Sequence, residues 1–459
     1  MVPRFDVQPE TADVGFGFRQ RFYMAIQCRE YTFAPVFGIH YCGILGVASR
    51  ILMSITHYSR QRGPDASARG NVRGRHPLSV SSYNIPASVT YNPEIMKYFL
   101  SGLLMLALLS AFDAAAKERK PLFQDDTVIK AVLTAPIAQA YAQRDQEVRI
   151  YLPGQWTYAN GDDETRRLDV SIRTRGLFRR KYCALPPLQL NFKKKQVKGT
   201  LFAGQNKLKV VAPCQNGPVA QQQVVLEYLA YKTFEILSER SFGTRLIRLS
   251  YVDIDEKKEP WTDLVFVIED DDDLAKRLDL VKLGVAANDF DQLDGPSAAL
   301  VDLFQLLVAN NDYSLLEGPE GRPCCHNSEI LSPKDDADRR IPVPYDFDMS
   351  GLVNARYAAP PSHIPIKFVR TRYYRGLCQP PGILEDAIAH VQSKREEILS
   401  LFANTKELEA RSKKKTLKWL EDYFDILDSP KRLQKQVYGR CRGKEELAEM
   451  LEKEERAKD

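Results

Sequence analysis

The sequence predicts an α+β protein of two lobes: a mixed-β small lobe holding one helix, a mostly helical large lobe, and further helices at the C-terminus. Three observations carry that expectation. Several short alternating apolar runs precede one long amphipathic stretch near residue 219, two more strand-like runs follow it, and the apolar periodicity is helical from residue 381 onward. Hydrophobic content of 44% with 27% charged residues belongs to an ordinary globular chain. A net charge of +5 on 125 charged side chains is close to balance, which argues against a dedicated nucleic-acid binder.

The chain changes character at Met96. Every lysine lies at Lys97 or later, whereas the first 95 residues hold ten arginines and no sustained periodicity. From Met96 the text reads MKYFLSGLLMLALLSAFDAAAK: a lysine, 15 uncharged and mostly apolar residues, then small residues at 114–116. That is the layout of a secretory signal peptide, too short for the roughly 20 apolar residues of a spanning helix. The natural start is therefore expected at Met96, with 1–95 an irregular upstream extension and 96–116 the export signal. The expected location is periplasmic or extracellular, with membrane contact only through an uncleaved signal segment. An oxidising compartment permits disulfides among the six later cysteines. Cys183 with Cys214, and Cys324 or Cys325 with Cys378, are candidate pairs. Cys324-Cys325-His326 lacks the paired spacing of a zinc site.

In order, residues 125–143 read as a leading helix interrupted at Pro136, and 148–152 as a strand closed by Pro153-Gly154. Strands follow at 167–173, 188–192 and 207–211, the last with Leu208 and Val210 on one face. The basic runs 179–181 and 193–195 read as exposed turns. The stretch 219–240 is a helix with an apolar stripe and Glu227 near its edge. Strands at 244–253 and 261–268 lead to an acidic run, 269–273, read as a solvated turn. A polar connection (281–295) and a helix (297–309) deliver the chain to Asn310-Asn311-Asp312, and 368–374 alternates as a strand. This is the order in which a protein-kinase-like fold builds its lobes, with the small lobe at 117–270, the large lobe at 271–400 and a helical extension at 401–459.

The chemistry concentrates in residues 308–358. Phosphoryl transfer needs a carboxylate to accept the attacking hydroxyl's proton and hard oxygen ligands to hold Mg²⁺ or Mn²⁺ against the phosphates of ATP. Asp312 can be the base, with Asn327, Asp346 and Asp348 the metal ligands, in two polar loops each entered from an apolar run. His326 reads as a partly buried structural histidine.

The segments LVANNDYS, HN and PYDFDMSGLVNARYA resemble the catalytic segment of the spore-coat protein H (CotH) family of atypical kinases. SIRTRG at 171–176 is similar to that family's arginine–glycine strand end, and LVFVIEDDDDL resembles its hinge-entering strand. The resemblance implies ATP and a divalent metal as cofactors, with a protein or small-molecule hydroxyl as substrate. It implies Asp312 as catalytic aspartate, Asn327 and Asp346 or Asp348 as metal ligands, and Lys209 or Lys207 paired with Glu227. Arg175 and Glu269 join them on the nucleotide side. The chain departs from the family in the long insert LLEGPEGRPCC between Asp312 and Asn327, in Cys-Ala-Leu-Pro-Pro at 183–187, and in lacking a glycine-rich phosphate loop. The alternative expectation is a non-catalytic module of the same kind, acting in binding or assembly in the cell envelope.

Overall fold

The computed structural model describes residues 117–160, 164–319 and 321–445. The upstream extension and the signal segment, expected at 1–95 and 96–116, lie outside the described residues.

The first strand, β1 (Ile129–Ala135), occupies sequence expected to be helical. Its IKAVLTA alternates, burying Ile129, Ala131, Leu133 and Ala135. Partners on both sides hold these seven residues extended, and Pro136 then starts a short helix, α1 (Ile137–Ala142). Next come β2 (Leu152–Asn160) and β3 (Glu164–Thr174), a five-residue helix α2 (Phe178–Tyr182), β4 (Leu188–Phe192) and β5 (Lys207–Val211). The long helix α3 (Pro218–Leu237) follows, then β6 (Thr244–Asp253) and β7 (Trp261–Ile268).

These seven strands form a closed barrel in the order β1-β2-β3-β4-β5-β7-β6. Closure depends on β1. It pairs antiparallel with β2 and parallel with β6, from Ile129 opposite Ile247 to Ala135 opposite Asp253. Gly154 belongs to β2 rather than ending a strand. A Cβ there would meet the Ala135 Cβ at 2.7 Å, so only glycine lets the two strands approach at this rung.

Beyond the barrel run α4 (Asp271–Arg277), β8 (Val281–Lys282), α5 (Gly295–Val308), β9 (Ser328–Ser332) and β10 (Ile341–Pro344). The last three strands make a second sheet ordered β10-β9-β8. Four helices close the described chain: α6 (Ile383–Ser393), α7 (Arg395–Asn404), α8 (Ala410–Asp428) and α9 (Pro430–Gln436). The two-lobed, protein-kinase-like fold is thus overturned. A closed barrel replaces the small lobe, and a mixed arrangement with helices at its C-terminal end replaces the helical large lobe. The element order was compatible with both. The parallel β1–β6 pairing, formed by a strand read as helix, decides between them.

Smaller corrections have local causes. The acidic run is not a solvated turn. Asp270 caps α4 by accepting from the Asp272 N–H, and carboxylates in a first turn suit the helix dipole. Residues 368–374 form no strand. Cys183 pairs with Cys214 as expected, but Cys378 pairs with Cys441, and Cys324 with its neighbour Cys325. Such pairs are compatible with an exported protein. Among the described residues, no helix is long and apolar enough to cross a membrane.

Two cores share β6 and β7. Leu133, Trp156, Phe192, Phe202 and Val265 fill the barrel. Leu229, Phe234, Phe304, Phe347 and Phe424 fill the space among α3, α5 and the C-terminal helices. On β7, Val265 and Val267 face the barrel while Leu264, Phe266 and Ile268 face the second core. Burial on both faces explains the unbroken apolar run LVFVI.

Candidate functional site

Helix α5 ends at Ala309, whose left-handed φ of 50° turns the chain out of the helix. The Asn310 N–H returns to Gln305 O at 2.8 Å, and Asn310 Oδ1 accepts from the Asp312 N–H at 3.0 Å. This turn presents the Asp312 carboxylate to solvent with its orientation set. Its Oδ1 lies 2.8 Å from His326 Nε2. The Asn327 side-chain amide donates to Asp312 O at 2.7 Å and to Oδ2 at 3.1 Å.

The long insert does not disrupt this geometry. It leaves and returns as an excursion pinned by Ser314 N–H to His326 O and His326 N–H to Glu317 O, both 3.0 Å. Gly318 is required where the excursion crosses itself, because a Cβ there would meet Pro323 O at 2.1 Å. The spacing from Asp312 to Asn327 is therefore free to lengthen while the two side chains still meet. His326, read as structural, is a direct partner of Asp312.

Asp346 enters through the β9–β10 hairpin. Ser328 opposes Pro344, and one step further the Tyr345 N–H donates to Asn327 O at 3.0 Å. Asn327 and Asp346 both have positive φ, 53° and 59°, which re-aims the side chains at the open hairpin end. The Asp346 N–H donates to Tyr231 Oη at 2.8 Å. Among the described residues, neither the Asp346 carboxylate nor Asn327 Oδ1 accepts a hydrogen bond.

Asp348 points into a buried charged cluster. Arg179 donates to Glu227 Oε2 at 3.2 Å and to Ala212 O at 2.7 Å, and lies 3.8 Å from Asp348 Oδ2. Tyr357 Oη donates to the same Asp348 oxygen at 2.9 Å. Burial pushes the Glu227 carboxyl up to about 7 against the pull of Arg179, with Asp346 adding to the push. Burial, then Asp346, also holds the Asp348 carboxyl well above the usual range. Arg175 is half-buried at the edge of this group. Burial lowers its guanidinium while Asp346 opposes that shift. Three carboxylates face two guanidiniums here.

The nucleotide-side expectations fare unevenly. Lys209 does not pair with Glu227; it lies opposite Ile268 on β7 and meets Asp271 at 2.8 Å. Lys207 is exposed. Glu269 is buried and receives Arg277 Nε and Nη2 at 3.1 and 3.0 Å and the Gly243 N–H at 3.0 Å. The cation on Glu227 is instead Arg179, from a run whose sequence reads as an exposed basic turn. One signal for it stands in the sequence. Cys183 lies four residues later on the same helical face, and its pairing with Cys214 draws that face inward.

The structure thus gathers the expected residues in two adjoining groups. Asp312, His326 and Asn327 form one; Asp346, Asp348 and Glu227, with Arg175 and Arg179, form the other. The Tyr345–Asn327 backbone bond joins them. Asp312 and His326 also line a cavity of about 260 Å³ with Asn311, Tyr313, Arg375 and Arg442. Among the described residues, no group of three or more His, Cys, Asp and Glu is arranged to hold a metal ion. Asn327 Oδ1 and Asp346 nevertheless suit Mg²⁺, which is commonly held by one or two carboxylates together with substrate phosphates. No family model matches the sequence, and no curated protein matches it significantly.

Proposed function

We propose that this chain is an exported, CotH-like phosphotransferase that uses ATP with Mg²⁺ or Mn²⁺ to phosphorylate a hydroxyl of a protein or small molecule. One observation carries the reading: Asp312, braced by His326 and Asn327, stands in a cavity wall beside a hairpin end that presents Asp346. Asp312 accepts the proton of the attacking hydroxyl, and the hydrogen bonds from His326 and Asn327 fix its orientation. Asn327 Oδ1 and Asp346 hold the metal, which supplies charge neutralisation on the phosphates. Arg175, close to Asp346, supplies a cation for the phosphate oxygens. The signal-like segment at 96–116 and the paired cysteines support export.

The test is a thermal shift with ATP and Mg²⁺ or Mn²⁺, followed by a transfer assay. Nucleotide at a hundredfold over its Kd stabilises by about 2.7 kcal/mol. Asp346→Ala removes that shift. Asp312→Asn keeps it and abolishes transfer. No shift with millimolar nucleotide refutes the proposal. It then favours the second reading, a non-catalytic binding or assembly module of the envelope. The engagement of Lys209 with Asp271, away from Glu227, speaks for that alternative.

A further inference from the structure

The cavity beside Asp312 is lined by two guanidiniums that the phosphotransfer chemistry does not use. Arg375 Nη1 donates to Asn311 O at 2.5 Å and to Tyr313 O at 3.2 Å, and its Nη2 lies 3.2 Å from His363 Nε2. Arg442 donates through Nε to Arg375 O at 2.7 Å. Among the described residues, its terminal nitrogens have no hydrogen-bond partner, and neither arginine forms a salt bridge. Asp302, the buried carboxyl beneath them, is occupied by Tyr313 Oη and the Leu377 N–H, both at 2.9 Å.

Arg442 reaches this wall from the far end of the chain because two devices hold it there. Its backbone pairs with residues 376–378: Arg442 N–H to Gly376 O at 2.9 Å, and Cys378 N–H to Arg442 O at 3.0 Å. The Cys378–Cys441 disulfide fastens the neighbouring residue across a separation of 63. The site is therefore built rather than adventitious. Asn311, 5% exposed, also lines the cavity.

We propose that this cavity is the acceptor subsite and that it selects a hydroxyl compound or side chain bearing a nearby anionic group, a carboxylate or a phosphate. Arg375 and Arg442 take the anion. The hydroxyl lies toward Asp312. At about 260 Å³ the cavity admits a side chain or a small molecule, not a folded surface. The inference rests on the phosphotransfer reading of Asp312, but anion binding itself needs neither nucleotide nor metal.

The test is calorimetric titration of the whole exported chain, free of nucleotide and metal, with inorganic phosphate and, separately, succinate. Arg442→Gln is expected to weaken the preferred anion about tenfold or more, the loss of one charge-assisted contact. Asp312→Asn is expected to tighten it severalfold by removing a negative charge from the same wall. This second variant serves if Arg442→Gln does not fold. Lys258→Gln, on a different surface, leaves the affinity unchanged. Tighter phosphate identifies a phosphorylated acceptor, and tighter succinate an acidic one. No binding of either anion at about 10 mM, or equal affinity in Arg442→Gln, overturns the subsite. Anion binding through Arg442 in a chain that transfers no phosphoryl group refutes the proposed function and leaves the subsite standing.

Discussion

Replacing Arg179 by methionine tests the centre of the site most directly. Its guanidinium is the cation facing Glu227 at 3.2 Å and Asp348 at 3.8 Å. Removing one partner of a buried pair costs about 3–5 kcal/mol, because the other charge remains uncompensated. The cost depends on pH in a defined direction. Burial pushes the Glu227 carboxyl up to about 7 in the folded chain. A carboxyl raised in the folded state contributes stability that is fully present below the unfolded value and is lost as pH rises through the folded one. The cluster's contribution therefore falls as pH rises above the ordinary carboxylate range. Asp348, also raised, acts in the same sense. Without Arg179 both carboxyls move higher still. The Arg179→Met penalty is therefore largest above neutrality and shrinks in acid, where protonated carboxyls need no cation. What remains is the unpaired Ala212 carbonyl and lost packing, about 1–3 kcal/mol. Urea unfolding at about pH 5 and about pH 8 measures both values. Adding Glu227→Gln to Arg179→Met should recover much of the loss at the higher pH. An equal penalty at both pH values, or no recovery in the double variant, refutes this account of the cluster.

Two further outcomes follow from the same geometry. Replacing Cys183 and Cys214 by serine opens a loop of sequence separation 31 and should cost roughly 3–4 kcal/mol by urea unfolding, a value near 4 being the chain-entropy expectation. Lys209→Met should cost under about 1 kcal/mol, because the ion pair with Asp271 is partly exposed, and it should leave the pH dependence of the Arg179→Met penalty unchanged. A Lys209→Met variant that altered that dependence would restore the lysine as the partner of Glu227.

Local pattern determined a good deal of this protein. Helix α3 and strands β4 to β7 follow from periodicity read over five or more residues, because one buried face leaves its mark at 2 or 3.6 whatever it packs against. The turn chemistry at 310–312 and the acidic hairpin end at 346–348 were likewise legible, since Asn and Asp declare themselves where the backbone must leave a regular element. The pairing of β1 with β6 was not legible. Seven residues of IKAVLTA satisfy a helix or a strand, and only a partner over a hundred residues away selects the strand and closes the barrel. The cation for Glu227 was hidden for the same reason. The chain offers Lys209 or Lys207 and leaves Arg179 in a basic turn; the register of β5 on β7 sends Lys209 to Asp271, and the Cys183–Cys214 bridge turns the arginine inward. Arg442 is the extreme case, carried to the Asp312 cavity by a disulfide and a two-bond backbone pairing. Short-range propensity is written residue by residue, whereas the choice among equivalent partners is made by loop closure and burial. Those exist only once the chain has folded.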